Sequence, residues 1–410
     1  MLPPVTALPS ELDSIPDQPA VFMLWAGEGV PYLARTGLLR RRLRRILGDR
    51  GGADAGRISR VLNLRGVVER IEYWPTGSQL ESSLIHLELA QRYYPEHWPR
   101  LTRLHPPFFV RLLLENAFPR MQVTSRLSRG PDHGHFHSSV HGQFRGLFYG
   151  PFPSRAAAER FETGVLDLFQ LRRCEENLEP SPQHPGCIYG EMNRCLRPCQ
   201  QAVSVDEYRT EAVRVEQFLR TSGRSLAETA ESARDGASAE MQFEEAARLH
   251  QRVQRIADVQ ALAGDVAREL SRLHGVAVVP SAEFGSVDLW VLAGGRWLEP
   301  RRLAVGAAGQ SLDHHIKELL AGAAPEGPPH PEHLAIFLRW HGSNWRDGEW
   351  IGFDSFDKIP YRKLVNAAAR VGGGAGNSAR SRPSGRPTSE TDPLKGEPDP
   401  KDPLETGSAS

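Results

Sequence analysis

Apolar and polar positions change rhythm several times along this chain, and the changes divide it into blocks. Ala20 to Trp25 is a continuous apolar run, Gly27-Glu28-Gly29 reads as a turn, and Val30 to Ala34 makes a second short strand. Leu38 to Leu47 then switches to helical spacing, with Leu38, Leu39, Leu43, Ile46 and Leu47 apolar and Arg at most other positions. A second helix is predicted over Ser78 to Tyr93, where Ser78 is a plausible N-cap and Glu81 completes a capping-box pattern. A third runs from about Ser154 to Leu171. From Val205 to about Leu273 the period stays helical, broken near Thr221-Ser222-Gly223, which predicts a long helix pair. Val276 to Val279 and Val287 to Leu292 are strand-like, and with the Gly294-Gly295 turn and later helices they mark a small α/β unit. Beyond Gly372 the chain is polar and rich in Gly, Ser and Pro, the composition of a disordered tail.

Five segments follow: an α/β domain over 15–125, a linker, helix and Cys-bearing stretch over 126–200, a helical hairpin over 201–273, a small α/β unit over 274–370, and the tail over 371–410. Total charge adds little, because 50 Lys and Arg face 50 Asp and Glu. Its distribution adds more. Pro31 to Arg70 holds eleven Arg against three acidic residues, a local excess suited to phosphate. Arg40, Arg41, Arg42, Arg44 and Arg45 lie within it, and phosphate contact is favoured over a merely solvated helix face. No run reaches the roughly 18–20 apolar residues of a membrane span, and Met1 to Ser14 lacks the pattern of a signal peptide. A cytoplasmic protein is expected.

All four cysteines, Cys174, Cys187, Cys195 and Cys199, fall within 26 residues. In a reducing compartment such a cluster reads as a metal site, and four thiolates suit Zn or an iron–sulfur cluster equally. Arg172, Arg173, Arg194 and Arg197 stand beside them and are expected to favour the thiolate forms. His133, His135, His137 and His141 could bind a metal at alternate strand positions, but a solvated loop is the better reading. In the helical hairpin, Phe243, Ala246, Ala247, Leu249 and Val253 share a face whose small residues let another helix approach.

The order and spacing of these segments resemble the UvrC family, the incising subunit of bacterial nucleotide excision repair and its shorter relatives. Phe243-Glu244-Glu245-Ala246-Ala247-Arg248-Leu249 looks like the UVR motif through which UvrC and UvrB associate. Cys195-Leu-Arg-Pro-Cys199, preceded by Cys174 and Cys187 and followed by Asp206-Glu207-Tyr208, looks like the family's Cys-rich segment. Phe118-Pro119-Arg120 and Tyr149-Gly150-Pro151-Phe152 match further landmarks. The resemblance covers roughly residues 15 to 300 and implies a GIY-YIG-like α/β domain with a small antiparallel sheet and flanking helices. A helical UVR hairpin and a small α/β C-terminal unit follow it. The resemblance also implies DNA and a UvrB-like protein as partners, the latter through Phe243, Glu244, Ala246, Ala247 and Leu249. It moves the expected cofactor from Zn toward a [4Fe–4S] cluster.

By the same resemblance Tyr32, Arg35 and Arg42 occupy catalytic positions, and Arg40, Arg41, Arg44 and Arg45 DNA-binding ones. Three positions depart from the family. Phe22 replaces the first signature tyrosine, His86 stands where a metal-binding Glu is usual, and Trp98 replaces an Asn. Such a nuclease uses a Glu-held divalent metal, tyrosine hydroxyls and an Arg to hydrolyse a phosphodiester. Imidazole is a poor substitute for a hard oxygen ligand of Mg²⁺, although His86 could still hold Zn²⁺ or Mn²⁺. After Leu273 there is too little sequence for the family's RNase H-like domain and helix–hairpin–helix motifs, and no convincing acidic triad among Asp288, Asp313 and Asp354. The reading is therefore a repair protein that binds DNA and UvrB, with incision lost or altered. Two alternatives stand beside it: an active single-incision endonuclease with a rearranged metal site, and a UVR interaction protein that needs no DNA.

Overall fold

In the computed structural model, which describes residues 3–48, 64, 66–127, 146–305, 312–323 and 327–378, the N-terminal apolar runs build one antiparallel sheet. Its strands are β1 (Val5–Ala7), β2 (Ala20–Trp25), β3 (Tyr32–Thr36) and β4 (Arg70–Pro75), in the order β1-β4-β2-β3. The pleat sends alternate residues to opposite faces. Ala20, Phe22 and Leu24 pack on Leu39, Leu43 and Ile46 of α1 (Leu39–Leu47). Val21, Met23 and Leu33 face Leu89 and Ala90 of α2 (Gln79–Tyr93), which leads into the short α3 (Trp98–Thr102). The predicted cap is present: Ser78 Oγ accepts the Glu81 N–H at 3.1 Å. Glu81 reaches back to the Gly77 N–H at 2.7 Å.

Phe108 to Thr124, within the 15–125 segment, adds no strand to this sheet. β5 (Phe108–Leu113) and β6 (Arg120–Thr124) pair instead with β7 (Leu147–Phe152) in a second sheet, closed at the far edge by β8 (Arg268–Glu269) in the order β6-β5-β7-β8. On it lie α4 (Arg155–Leu168), capped by Ser154, and α6 (Val205–Arg220), while the Cys segment between them contains the short α5 (Ile188–Glu191) and a 3-10 turn at Pro198–Gln200. Tyr149 stacks on Phe161 at 4.7 Å, and Phe169 meets Phe218 edge-on at 5.6 Å.

The predicted long helix pair is three helices. α6 ends at the expected break, where Gly223 takes φ +82° and a side chain there would collide with Gln260 and Phe218. α7 (Arg224–Ala239) and α8 (Phe243–Ala263) then form the antiparallel hairpin, turning at Met241 with φ 58°. Val253, Ile256 and Val259 anchor its base in the second core, whereas the tip carries Met241 and Phe243 at 75% and 70% exposure.

The last unit pairs β9 (His274–Pro280) with β10 (Ser286–Ala293) around the two expected runs. β10 also pairs with β11 (Arg296–Trp297) and β12 (Arg301–Ala304), and β13 (Glu349–Phe353) adds to β9 antiparallel. α9 (Leu312–Leu320), α10 (Pro331–His341) and α11 (Tyr361–Ser378) pack beside this sheet, and α11 runs past the expected start of the tail. The four His of the 133–141 loop and the rest of the tail lie outside the described residues.

One buried cation ties the second unit together. Arg172, 4% exposed, donates to the carbonyls of Phe118 (3.0 Å), Glu176 (2.8 Å) and Cys174 (3.3 Å). Its own N–H donates to the Tyr208 hydroxyl at 2.8 Å, and that hydroxyl donates onward to the Pro119 carbonyl at 2.9 Å. Burying a guanidinium is tolerable only when such acceptors surround it. Arg172→Met leaves those carbonyls without their donor and is expected to destabilise the fold by about 3 kcal/mol. Arg155→Met, which breaks an exposed pair with Glu159, should remain within about 0.5 kcal/mol. Urea unfolding of both variants measures the difference.

Candidate functional site

Strand alternation sorts the candidate catalytic residues onto two faces. Tyr32 lies with Phe22 on the α1 face, their rings 6.3 Å apart. Arg35 reaches the opposite face, where its guanidinium donates to Ser83 Oγ at 3.0 Å. Ser83 and His86 sit one turn apart on α2, at 8% and 7% exposure. Arg339 of α10 arrives from the last unit, donating to the same Ser83 Oγ and to the Thr102 carbonyl, each at 3.3 Å. Two guanidinium groups thus converge beside His86. Arg35 and Arg339 are both exposed as whole residues, so the site is open and not a sealed chamber.

The electrostatics follow from that convergence. Burial, and then repulsion from Arg35 and Arg339, push the His86 imidazole down to about 3, so it is neutral at physiological pH. Desolvation, with Arg339 as neighbour, lowers Arg35 to about 10, which leaves it charged. Glu81 and Glu88 do not substitute for a carboxylate at position 86, because both line a cavity elsewhere around α2. Sequence reasoning missed Arg339, which nothing near residue 86 announces. It also missed Tyr94, whose hydroxyl bonds the Pro31 carbonyl and is affected by Tyr32.

α1 positions the arginine run. Arg44 pairs with Asp13, Arg40 donates to the Asp13 carbonyl at 3.3 Å, and the Arg41 N–H donates to Asp17 at 3.1 Å. Arg41, Arg44 and Arg45 are exposed, and Arg42 is half-buried. Trp98 packs into the apolar contacts around α2 and α3 and presents its carbonyl to Thr102 Oγ1 at 3.0 Å. In the hairpin, Phe243, Glu244 and Ala247 are exposed, and Ala246 and Leu249 are half-buried.

The Cys segment folds so that its four thiols influence one another, with Cys195 and Cys199 buried, Cys174 intermediate and Cys187 exposed. Backbone N–H groups face two sulfurs: Arg197 toward Cys195 at 3.4 Å, and Gln200 toward Cys199. The expected help from four arginines is not found. Arg172 alone reaches a thiol, Cys174 Sγ at 3.6 Å, while Arg173 and Arg194 turn to Asp167. Burial, and the other thiols in turn, push Cys195 up to about 11 and raise Cys199, the reverse of the expected activation. Four sulfurs, two of them with amide N–H groups directed at them, suit a soft metal centre chemically. Among the described residues no three His, Cys, Asp or Glu stand close enough to hold an ion as arranged. No helix there is long and apolar enough to cross a membrane.

Against known proteins, residues 110–220 match the UvrC/Cho excinuclease middle domain, a stretch that contains β6, β7 and most of β5 together with the Cys segment and α6. The chain is 26% identical over 250 residues to UvrABC system protein C of Caulobacter vibrioides, covering 61% of this chain and 36% of that one. The corresponding protein of Hyphomonas neptunium is 28% identical over 258 residues, covering 63% and 39%. That of Rickettsia africae is 26% identical over 256 residues, covering 62% and 37%. This chain therefore spans a little over a third of the length of the relatives it matches. No solved structure matches it. The middle-domain match, together with relatives matched over about three-fifths of the chain, supports a UvrC-family protein.

Proposed function

We propose that this chain acts in nucleotide excision repair by binding DNA and docking on UvrB, and that its N-terminal, GIY-YIG-like site no longer incises. The convergence of Arg35 and Arg339 beside a neutral His86 carries this reading. A divalent cation needs hard, negative oxygen ligands, and here two positive charges flank the position that would supply one. The same charges attract a phosphodiester, so the pocket keeps the means to hold a backbone while lacking the means to hold Mg²⁺. The exposed arginines of α1 give the opposite side of the first sheet a second positive surface.

The tip of the α7–α8 hairpin supports the docking role. Phe243 and Met241 are large, apolar and solvent-facing at the end of a hairpin whose base is fixed in a core, which suits insertion against a partner helix pair. For the Cys segment we propose a [4Fe–4S] cluster held by Cys174, Cys187, Cys195 and Cys199, with Zn²⁺ as the alternative. The sulfur-only donor set and the N–H groups directed at two sulfurs support it. Bound there, the group would supply cross-linking of the segment and, for iron, redox chemistry.

Three outcomes are expected. With a lesion-bearing duplex preloaded by UvrA and UvrB, the wild type binds but makes no cut in Mg²⁺ or Mn²⁺. Its DNA affinity falls steeply with salt, and Arg41→Ala flattens that slope by about 1 phosphate contact. A cut that disappears with Arg42→Ala would overturn the loss of incision, and salt-independent or absent DNA binding would favour the pure interaction protein. Secondly, Phe243→Ala should weaken UvrB binding at least ~10-fold while leaving the unfolding midpoint unchanged. Thirdly, anaerobically purified protein should contain iron and acid-labile sulfide with visible absorbance, all lost in Cys195→Ser; colourless protein with one bound zinc would identify the alternative.

A further inference from the structure

A cavity of about 520 Å³ opens between α2 and the last unit, on a side of α2 away from His86. Its size lies in the roughly 300–1,000 Å³ range of small-molecule sites. Leu84 and Leu87 form one wall, and Trp290, Trp297 and Pro300 supply flat apolar surface opposite. Glu81 lies in the α2 wall at 4% exposure. The Gly77 N–H holds its carboxyl from behind at 2.7 Å, with a lesser contribution from the Ser78 N–H, and no side chain among the described residues donates to it. Burial foremost, and then the negative Asp288, raise this carboxyl to about 7. Asp288 is itself 1% exposed and spanned by Arg302, at 2.8 and 3.3 Å. Arg302 is engaged mainly with Asp288 and offsets the charge of Glu81 only in part, so burial still dominates at Glu81.

A second polar group in the same lining is unsatisfied. Trp290 is 7% exposed, and its indole N–H has no partner among the described residues. A buried carboxyl held by backbone N–H groups alone and a buried indole N–H with no partner leave hydrogen-bonding capacity unmet, a desolvation penalty that a ligand can relieve. Glu88 stands exposed at the rim and adds negative charge, so a phosphate is disfavoured. A carboxylate accepts best from two parallel N–H donors, and the indole rings of Trp290 and Trp297 favour a planar body stacked against them.

We propose that this cavity binds a planar heteroaromatic molecule that presents paired N–H donors to Glu81 and carries no phosphate, as guanine-type nucleosides do. The site stands apart from the cationic pocket beside His86 and requires no DNA. Calorimetric titration of the full chain with guanosine, inosine, adenosine and guanosine 5′-monophosphate tests it. Guanosine should bind saturably. Inosine, which lacks the exocyclic amine, and the monophosphate should each bind at least ~10-fold more weakly. Adenosine, which offers no such donor pair, should not bind detectably. Glu81→Gln keeps an acceptor for Gly77 but turns an amide N–H toward the ligand, and it should abolish the guanosine heat. Leu298→Trp fills the cavity without touching Glu81 and should do the same, with thermal unfolding confirming that each variant folds. Equal binding of all four compounds, guanosine binding retained in both folded variants, or no saturable heat up to millimolar guanosine would overturn the proposal.

Discussion

The buried guanidinium of Arg172 is the constraint around which the middle of this protein is organised. A charge at 4% exposure with no carboxylate among its hydrogen-bonding partners survives only because backbone carbonyls from two distant stretches converge on it. Phe118 sits at the end of one strand connection, Cys174 and Glu176 follow α4, and Tyr208 lies in the first turns of α6. Satisfying one cation therefore fixes the β5–β6 connection, the exit of α4 and the start of α6 relative to one another. The Cys segment is the loop trapped between these points. Its cysteines gather near one another because their ends are held, before any metal is considered.

α2 has a comparable role at the junction of the first and last units. One stripe packs on the first sheet through Leu89 and Ala90, and a second, Leu80, Leu84 and Leu87, enters a core shared with Trp290, Trp297 and Phe337. A helix buried on two sides has little room for charge, so its polar residues become conspicuous. Ser83 and His86 meet two arginines, and Glu81 borders a cavity. Close backbone approach reinforces the junction, because a side chain at position 77 would collide with the main chain at Pro280–Ala282. The last unit is thus packed against the first one and contributes a residue to its candidate site.

What could be read from sequence and what could not divides along the range of the interactions. Ser78 as a cap, the helical period of Leu38 to Leu47 and the break before Gly223 are local signals, and each reappears in place. Sheet membership is not local. β5 and β6 looked like a continuation of the first module, and their pairing with β7, across a connection of more than twenty residues, carries no short-range signature. β13 went unseen for the same reason, since Glu349–Phe353 has a strand only because β9 offers an edge. At the candidate site, His86 was legible as a departure from a family pattern. Its meaning was not, because Arg339 lies 256 residues from Ser83 in the chain. The expectation that nearby arginines activate the cysteines failed similarly, since adjacency in sequence does not say which way a side chain turns.

This last point bears on how the site at His86 could have come to differ from that of an active relative. A carboxylate at position 86 would neutralise Arg35 and Arg339, holding them as ion pairs and leaving little of its charge for a metal. The imidazole does the opposite: being neutral, it leaves both guanidinium groups uncompensated and available to an anion. A neutral residue at position 86 and a charged Arg339 are thus not independent features. Each makes the other tolerable, because Arg339 would quench a metal-binding Glu, and His86 lets Arg339 stay charged without pairing. A site so arranged is coherent for gripping a phosphodiester, and a single substitution back toward Glu would meet two arginines before it met a cation.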